Sequence, residues 1–141
     1  MNVATYDPKR VILTFGANQI KGFTEGTFIN VEEITDGTTR QAGADGEVAR
    51  VMSTDTGIRI TVTLQQTSLS NAILSAYLKA DRLGGGGALP VTLTDLRGAT
   101  VAAAGSAWIV KMANAEFGQE LGSREWVIET GPAEYFVGGN T

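Results

Sequence analysis

Cysteine is absent from this 141-residue chain, and so is histidine. The first absence excludes a disulfide framework, thiolate metal ligation and a cysteine nucleophile. The second removes the side chain most used for proton transfer near neutral pH and for holding transition metals. Carboxylate or lysine chemistry stays open, so enzymatic function is disfavoured rather than ruled out. Basic charge is also scarce. Eleven Lys and Arg stand against fifteen Asp and Glu, a net charge of −4, and they are scattered. Stable nucleic-acid binding calls for a basic patch that releases counterions from phosphate, and none is visible. Aromatic residues make up 7% of the chain. Trp108 and Trp126 sit among apolar residues with no interleaved cations, which points to packing rather than to a base-stacking platform. No apolar run approaches the ~20 residues that cross a bilayer, and residues 1–9 lack the apolar core of a signal peptide. The expectation is a single soluble domain, without membrane insertion, first folded in a cytoplasm.

What is present is period-two alternation rich in β-branched residues, the mark of strands. Residues 10–15 read as a first strand, with 20–23 as its hairpin partner through Gly16, Ala17 and Asn18. Residues 28–34 follow. The clearest strand is 57–66, with Ile58, Ile60, Val62 and Leu64 on one face and Arg59, Thr61, Thr63 and Gln65 on the other. Such a strand is buried on one side and wet on the other. Further strands are expected at 89–94, 100–104, 107–113 and 124–130.

One segment departs from this period. In residues 68–81, Leu69, Ala72, Ile73, Ala76, Tyr77 and Ala80 recur at spacings of three and four, an amphipathic helix of about three turns. Ser68 or Ser70 can cap its start. The glycine run 84–87 ends it and reads as a flexible linker. A phosphate loop is the weaker reading, because such a loop follows a strand and opens a helix. One helix beside about eight strands gives a mainly antiparallel sandwich or split barrel.

Between two strong strands lies a long polar connection at 36–47, whose tip holds the turn-forming pair Asp45-Gly46. Long connections without structure of their own are uncommon and often functional. Asp36, Asp45, Glu47 and Asp55 do not follow the spacing of a helix–loop–helix calcium site, so solvated carboxylates are the better reading. Glu32-Glu33 and the pair Glu116 and Glu120 can be imagined as glycosidase carboxylates, but spacing in sequence does not identify such pairs. No catalytic residue, metal ligand or cofactor is assigned. The polar strip Arg59, Thr61, Thr63 and Gln65 is a solvent face in a monomer. In a ring it can line a channel, or its strand can pair with a neighbour's sheet.

The order of elements across 36–81 carries a resemblance. Gly43-Ala44-Asp45-Gly46 leads through Ser53-Thr54-Asp55-Thr56-Gly57 to the strand Ile58-Arg59-Ile60-Thr61-Val62-Thr63-Leu64, then to Thr67-Ser68-Leu69-Ser70-Asn71 and the helix. This resembles the tail tube proteins of contractile-tailed bacteriophages, in the branch of short single-domain tubes. The likeness extends to residues 3–14 and 115–130. It implies two packed antiparallel sheets flanked by one helix, six-membered rings whose sheets join into a continuous β-barrel, and stacking of rings into a tube inside a contractile sheath. The implied partners are copies of the chain, the sheath, the baseplate hub, a tail terminator, the tape measure protein and DNA in transit through the lumen. The implied location is the virion, with assembly in the host cytoplasm. Carried onto this sequence, the resemblance makes 36–50 the loop that reaches the next ring, with Asp36, Thr39, Arg40, Asp45, Glu47 and Arg50 as contact candidates. Residues 2–10 and 134–141 become accessory arms. Asn30, Glu32, Arg59, Thr61, Thr63 and Gln65 become lumen candidates, and Arg59 then requires a neighbouring carboxylate. Alternatives remain. They are a related tube, terminator or baseplate ring of a tailed bacteriocin or type VI secretion system, a monomeric ligand-binding sandwich, and a carboxylate-based hydrolase.

Overall fold

A computed structural model describes residues 3–140. Their order is a short 3-10 turn at Pro8–Arg10, then β1 (Val11–Phe15), β2 (Asn18–Ile20), β3 (Ile29–Glu33), β4 (Thr38–Ala42), β5 (Val48–Met52) and β6 (Ile58–Gln65). Helix α1 (Ser70–Gly84) follows, then β7 (Leu89–Asp95), β8 (Val101–Ile109), β9 (Ser123–Thr130) and β10 (Ala133–Phe136). Every strand pairing among the described residues is antiparallel.

The main sheet runs β2-β1-β7-β8-β9-β6-β3, with β10 added on β8. It nearly closes on itself. Beyond β2 the chain continues alongside the end of β6: Gln65 donates its N–H to the Gly22 carbonyl, Thr24 donates to Thr63, and Phe23 pairs with Leu64. The result is a split barrel, and closure of this kind removes open edges. Inward rows from both halves meet in one core. Leu13, Phe15, Val91, Leu93 and Ala102 come from one side, and Ile58, Ile60, Val62, Leu64, Trp126 and Ile128 from the other. Alternation along β6 is complete, with each of Ile58, Ile60, Val62 and Leu64 fully buried.

Several expectations need correction in detail. The expected strands 100–104 and 107–113 are one strand, β8. Ala102 and Ala104 face inward, and so do Ala107 and Ile109, because the strand changes phase at the exposed Gly105 and Ser106. The matching register shift on β7 lies between Leu89 and Val91, the mark of a bulge where a strand bends from one half of a sandwich into the other. The β1–β2 turn is tighter than expected. Asn18 already pairs with Phe15, Gly16 takes φ +61° and Ala17 does not, as a two-residue hairpin with glycine first requires. Residues 22–24 leave that hairpin for β6.

The helix starts two residues later than expected and runs to Gly84. Its buried stripe is Ser70, Leu74 and Leu78, flanked by Ile73 and Tyr77, whereas Leu69, Ala72, Ala76 and Ala80 are exposed. Two neighbouring stripes share Ile73 and Tyr77, and the sheet selects the one carrying the larger leucines. The N-cap position is Leu69, which makes no side-chain cap bond, so neither Ser68 nor Ser70 is the expected cap; the Ser68 hydroxyl, one residue earlier, accepts the Ser70 N–H at 3.2 Å. Ser70 faces the barrel and accepts the Lys21 N–H at 2.9 Å. Tyr77 stacks edge-on against Phe15, and Asn71 accepts the indole N–H of Trp126 at 3.0 Å. At the other end Gly85 takes φ +69°, and its N–H closes onto Asp81. Gly87 donates to the Asp81 carboxylate, so with Gly84 inside the helix three of the four glycines belong to its end.

The two chain ends differ: residues 3–6 are exposed and without regular structure, whereas the C-terminal end is tied to the sheet. Val3 to Tyr6 is irregular, and Asp7 caps the 3-10 turn through the Lys9 N–H. The expected C-terminal arm contains β10, and Asn140 bonds to Asp95 and Arg97. Asn2 and Thr141, the outer limits of the expected arms, lie outside the described residues.

Candidate assembly surfaces

The connection expected at 36–50 is a β-hairpin, β4 against β5, forming its own two-stranded sheet. Its tip is built by the residues singled out for it. The Asp45 carboxylate accepts the Glu47 N–H, Gly46 takes φ +85°, and Gly43 and Glu47 close the loop at 2.7 Å. Every residue from 32 to 52 is exposed. Among the described residues the ribbon is therefore covered by no other element, although Val48, Val51 and Met52 are apolar and 53%, 52% and 66% exposed. An isolated two-stranded hairpin is marginal in water. This one is also self-repelling, because Arg40 and Arg50 stand directly opposite each other, and like charges so placed destabilise a strand pair. Of the remaining candidates, Asp36 lies at the root, Thr39 pairs with Val51 on the opposite face to the arginines, and Asp45 and Glu47 are at the tip.

The root of the hairpin is well built. Asp55 accepts the Thr35 hydroxyl at 2.6 Å and the Gly57 N–H at 3.0 Å, and these two bonds hold its carboxyl below the ordinary carboxylate pKa. Ser53 and Gly37 share a backbone bond across the two legs, as do Ile34 and Gly57. Gly57 is buried, and a Cβ there would lie 2.8 Å from the Thr130 carbonyl oxygen. Asp55 is thus a structural staple, a role that spacing along the chain does not reveal.

The second surface is the outward face of β8-β9-β6-β3. Pairing brings Trp108, Glu129, Arg59 and Glu32 into one row across four strands. Below it stand Val127, Thr61 and Asn30, then Glu125 and Thr63, then Ser123 and Gln65. All six lumen candidates therefore share this face. The carboxylate that Arg59 needs is present twice over. Its Nη1 donates to Glu32 at 3.0 Å, while Nε and Nη2 both reach one Glu129 oxygen at 3.0 and 2.8 Å. Glu32 first and Glu129 second raise the guanidinium pKa above its already high ordinary value. Glu125 adds a third carboxylate, and Lys111 and Glu116 join it around one hollow, so carboxylates outnumber cations by four to two and the surface stays acidic. Glu125 and Glu129 were not among the candidates. They are legible in hindsight, since Arg124, Trp126 and Ile128 form the alternate, buried register of β9.

Comparison with known proteins identifies the lineage. The family model for the bacteriophage PhiTE tail tube protein matches residues 12–138. The chain belongs to that tail tube family. The structural protein ORF10 of Pseudomonas phage KPP10 is 29% identical over 145 residues, covering 97% of this chain and 84% of that protein. Among solved structures, the tube-terminating cap of the anti-feeding prophage superposes with a TM-score of 0.65, covering 96% of this chain and 93% of that one at 12% identity. The sheath/tube terminator of the extracellular contractile injection system PVC, in its extended state, gives a TM-score of 0.60, covering 94% and 97%, also at 12% identity. The tail tube family member is therefore a phage tail structural protein, located in the virion, and it shares its fold with the two terminator proteins just described.

Proposed function

We propose that this chain is the repeating subunit of a phage tail tube: six copies form a ring, rings stack, and the tube conducts the genome inside a contractile sheath. The observation carrying this reading is the β4–β5 hairpin, exposed along residues 32–52 and, beyond its root, covered by no other element among the described residues. A monomeric domain gains nothing from holding an apolar and self-repelling ribbon in water. A polymer uses it to reach the next ring. In this reading Asp36, Thr39, Arg40, Asp45, Glu47 and Arg50 serve inter-ring contact.

The outward face bearing Asn30, Glu32, Arg59, Thr61, Thr63 and Gln65 then lines the lumen. The outer edges of β3 and β10, each with one strand neighbour, join adjacent subunits into one barrel. An acidic lining repels phosphate and lowers friction on passing DNA. Arg59 is compatible with that lining because two carboxylates neutralise it. The remaining partners are the sheath on the outside, hub and terminator at the ends, and the tape measure protein within. No cofactor takes part, and no active-site chemistry is assigned.

Electron microscopy of the purified protein at high concentration tests this reading. Long tubes with a central channel are the expected result. Monodisperse subunits at every concentration would sink it. A second reading has specific support, since the two solved structures described above are a tube-terminating cap and a sheath/tube terminator. A terminator gives single rings that do not grow, which the same micrographs distinguish.

A further inference from the structure

The hairpin and the irregular segment 110–122 lie at opposite ends of the same sheet. The hairpin joins β3 to β6 where Arg59 pairs with Glu129. Segment 110–122 joins β8 to β9 and meets the far end of β6, where Gln65 pairs with Ser123 and Gln66 bonds to Gly122. The eight residues of β6 separate the two by about 25 Å.

Segment 110–122 has the complementary chemistry. Glu116 and Glu120 are exposed, and Phe117 and Leu121 between and beside them are 81% and 74% exposed. Lys111, its one cation, lines a surface hollow together with Glu116, Ser123 and Glu125, so the segment keeps a net charge of −1. The segment is not loose. Arg124, buried at 8% exposure, donates to the Glu116 carbonyl at 3.1 Å, and its guanidinium lies 5.3 Å from the Phe117 ring centre. This buried cation spends itself on backbone carbonyls and a ring, and so presents Phe117 outward while leaving the Glu116 carboxylate unused. On the hairpin, Arg40 and Arg50 share one face with Val48 and Met52. Two arginines beside two apolar side chains thus match two glutamates beside two apolar side chains.

We infer that the hairpin of one copy docks on segment 110–122 of the next copy, with Arg40 and Arg50 facing Glu116 and Glu120 and the apolar side chains packed between them. The inference rests on the stacking reading and names the receptor for it. Because donor and receptor occupy opposite ends of one subunit, the contact is head-to-tail, and repetition generates an open stack instead of a closed pair.

Charge reversal tests it without disturbing the core, since all four charged residues are exposed. Arg40→Glu with Arg50→Glu, or Glu116→Lys with Glu120→Lys, should raise the critical concentration for tube formation about tenfold or more, as loss of close interfacial charge pairs does. Combining all four in one chain should restore most of it. A chain without cysteine also permits Arg50→Cys with Glu120→Cys, which a bismaleimide should join into ladders of covalent oligomers. If the native protein forms tubes but reversal at Glu116 and Glu120 is harmless and no ladder appears, the docking is wrong and stacking stands. If the native protein forms no stack at any concentration, both fail.

Discussion

Arg59 shows how a single residue can be read at two levels. Its side chain is 35% exposed, with Glu32 at 53% and Glu129 at 26%, so solvent screens the network and its net stabilisation is small. Arg59→Gln should leave the subunit's midpoint in denaturant titration nearly unchanged. It should also make the outward face more acidic by one charge per copy, and assembly correspondingly more dependent on salt. Asp55 is the opposite case, a small carboxylate with a positional task. Its folded pKa lies below the ordinary value of 3.8. The stability it contributes is therefore fully present above that ordinary value and is lost as pH falls through the lowered one. Hydrogen exchange at Gly57 should quicken in that acid window in the native protein. In Asp55→Asn it should be fast already at neutral pH. Gly57→Ala should cost about 1–3 kcal/mol, because a methyl group has to displace the Thr130 backbone. A shift of the thermal midpoint by less than a degree would show that the root has room to give.

At the scale of elements, strands read well where one face was buried and poorly where none was. β6 shows full alternation, and so does β9 once its register is known. The β4–β5 hairpin carried only its Asp45-Gly46 turn as a signal. Hydrophobic periodicity records burial, and neither face of that ribbon is buried in its own subunit. The helix was legible as a helix, but its inward stripe was not, since rotation about its axis is chosen by the sheet it covers. Leu74→Ala should cost about 2–5 kcal/mol in chemical denaturation, as emptying a fully buried leucine site does. Ala76→Ser, on the exposed side, should cost less than about 0.5 kcal/mol. Comparable losses at both positions would contradict the observed packing.

For the molecule as a whole, the protomer divides into a self-sufficient split barrel and a ribbon that is not self-sufficient. Replacing residues 38–52 with a short Gly-Ser link should leave thermal stability within about 1 kcal/mol, because no core residue comes from the hairpin. The same deletion should abolish growth of stacks seen by sedimentation. A strongly destabilised deletion variant would mean that the ribbon supports its own barrel after all. The split between β3 and β10 is the other place where the molecule is unfinished. A shallow cleft there is lined by Val11, Ile29, Val31, Thr100 and Tyr135, and the Tyr135 hydroxyl reaches the Val31 carbonyl at 3.3 Å.

Composition by itself settled the lack of thiol and imidazole chemistry, and alternation settled the β character, since both depend on residue type and local spacing. The sequence order also carried the family likeness, which the comparisons bear out at the level of a tail tube family. Tertiary structure alone decided three things: that Arg59 is clamped by Glu32 and Glu129, that Asp55 staples the hairpin root, and that the hairpin and segment 110–122 stand at opposite ends of β6. Each is a relation between residues far apart in the chain, and only the pairing of strands brings such residues together or holds them apart.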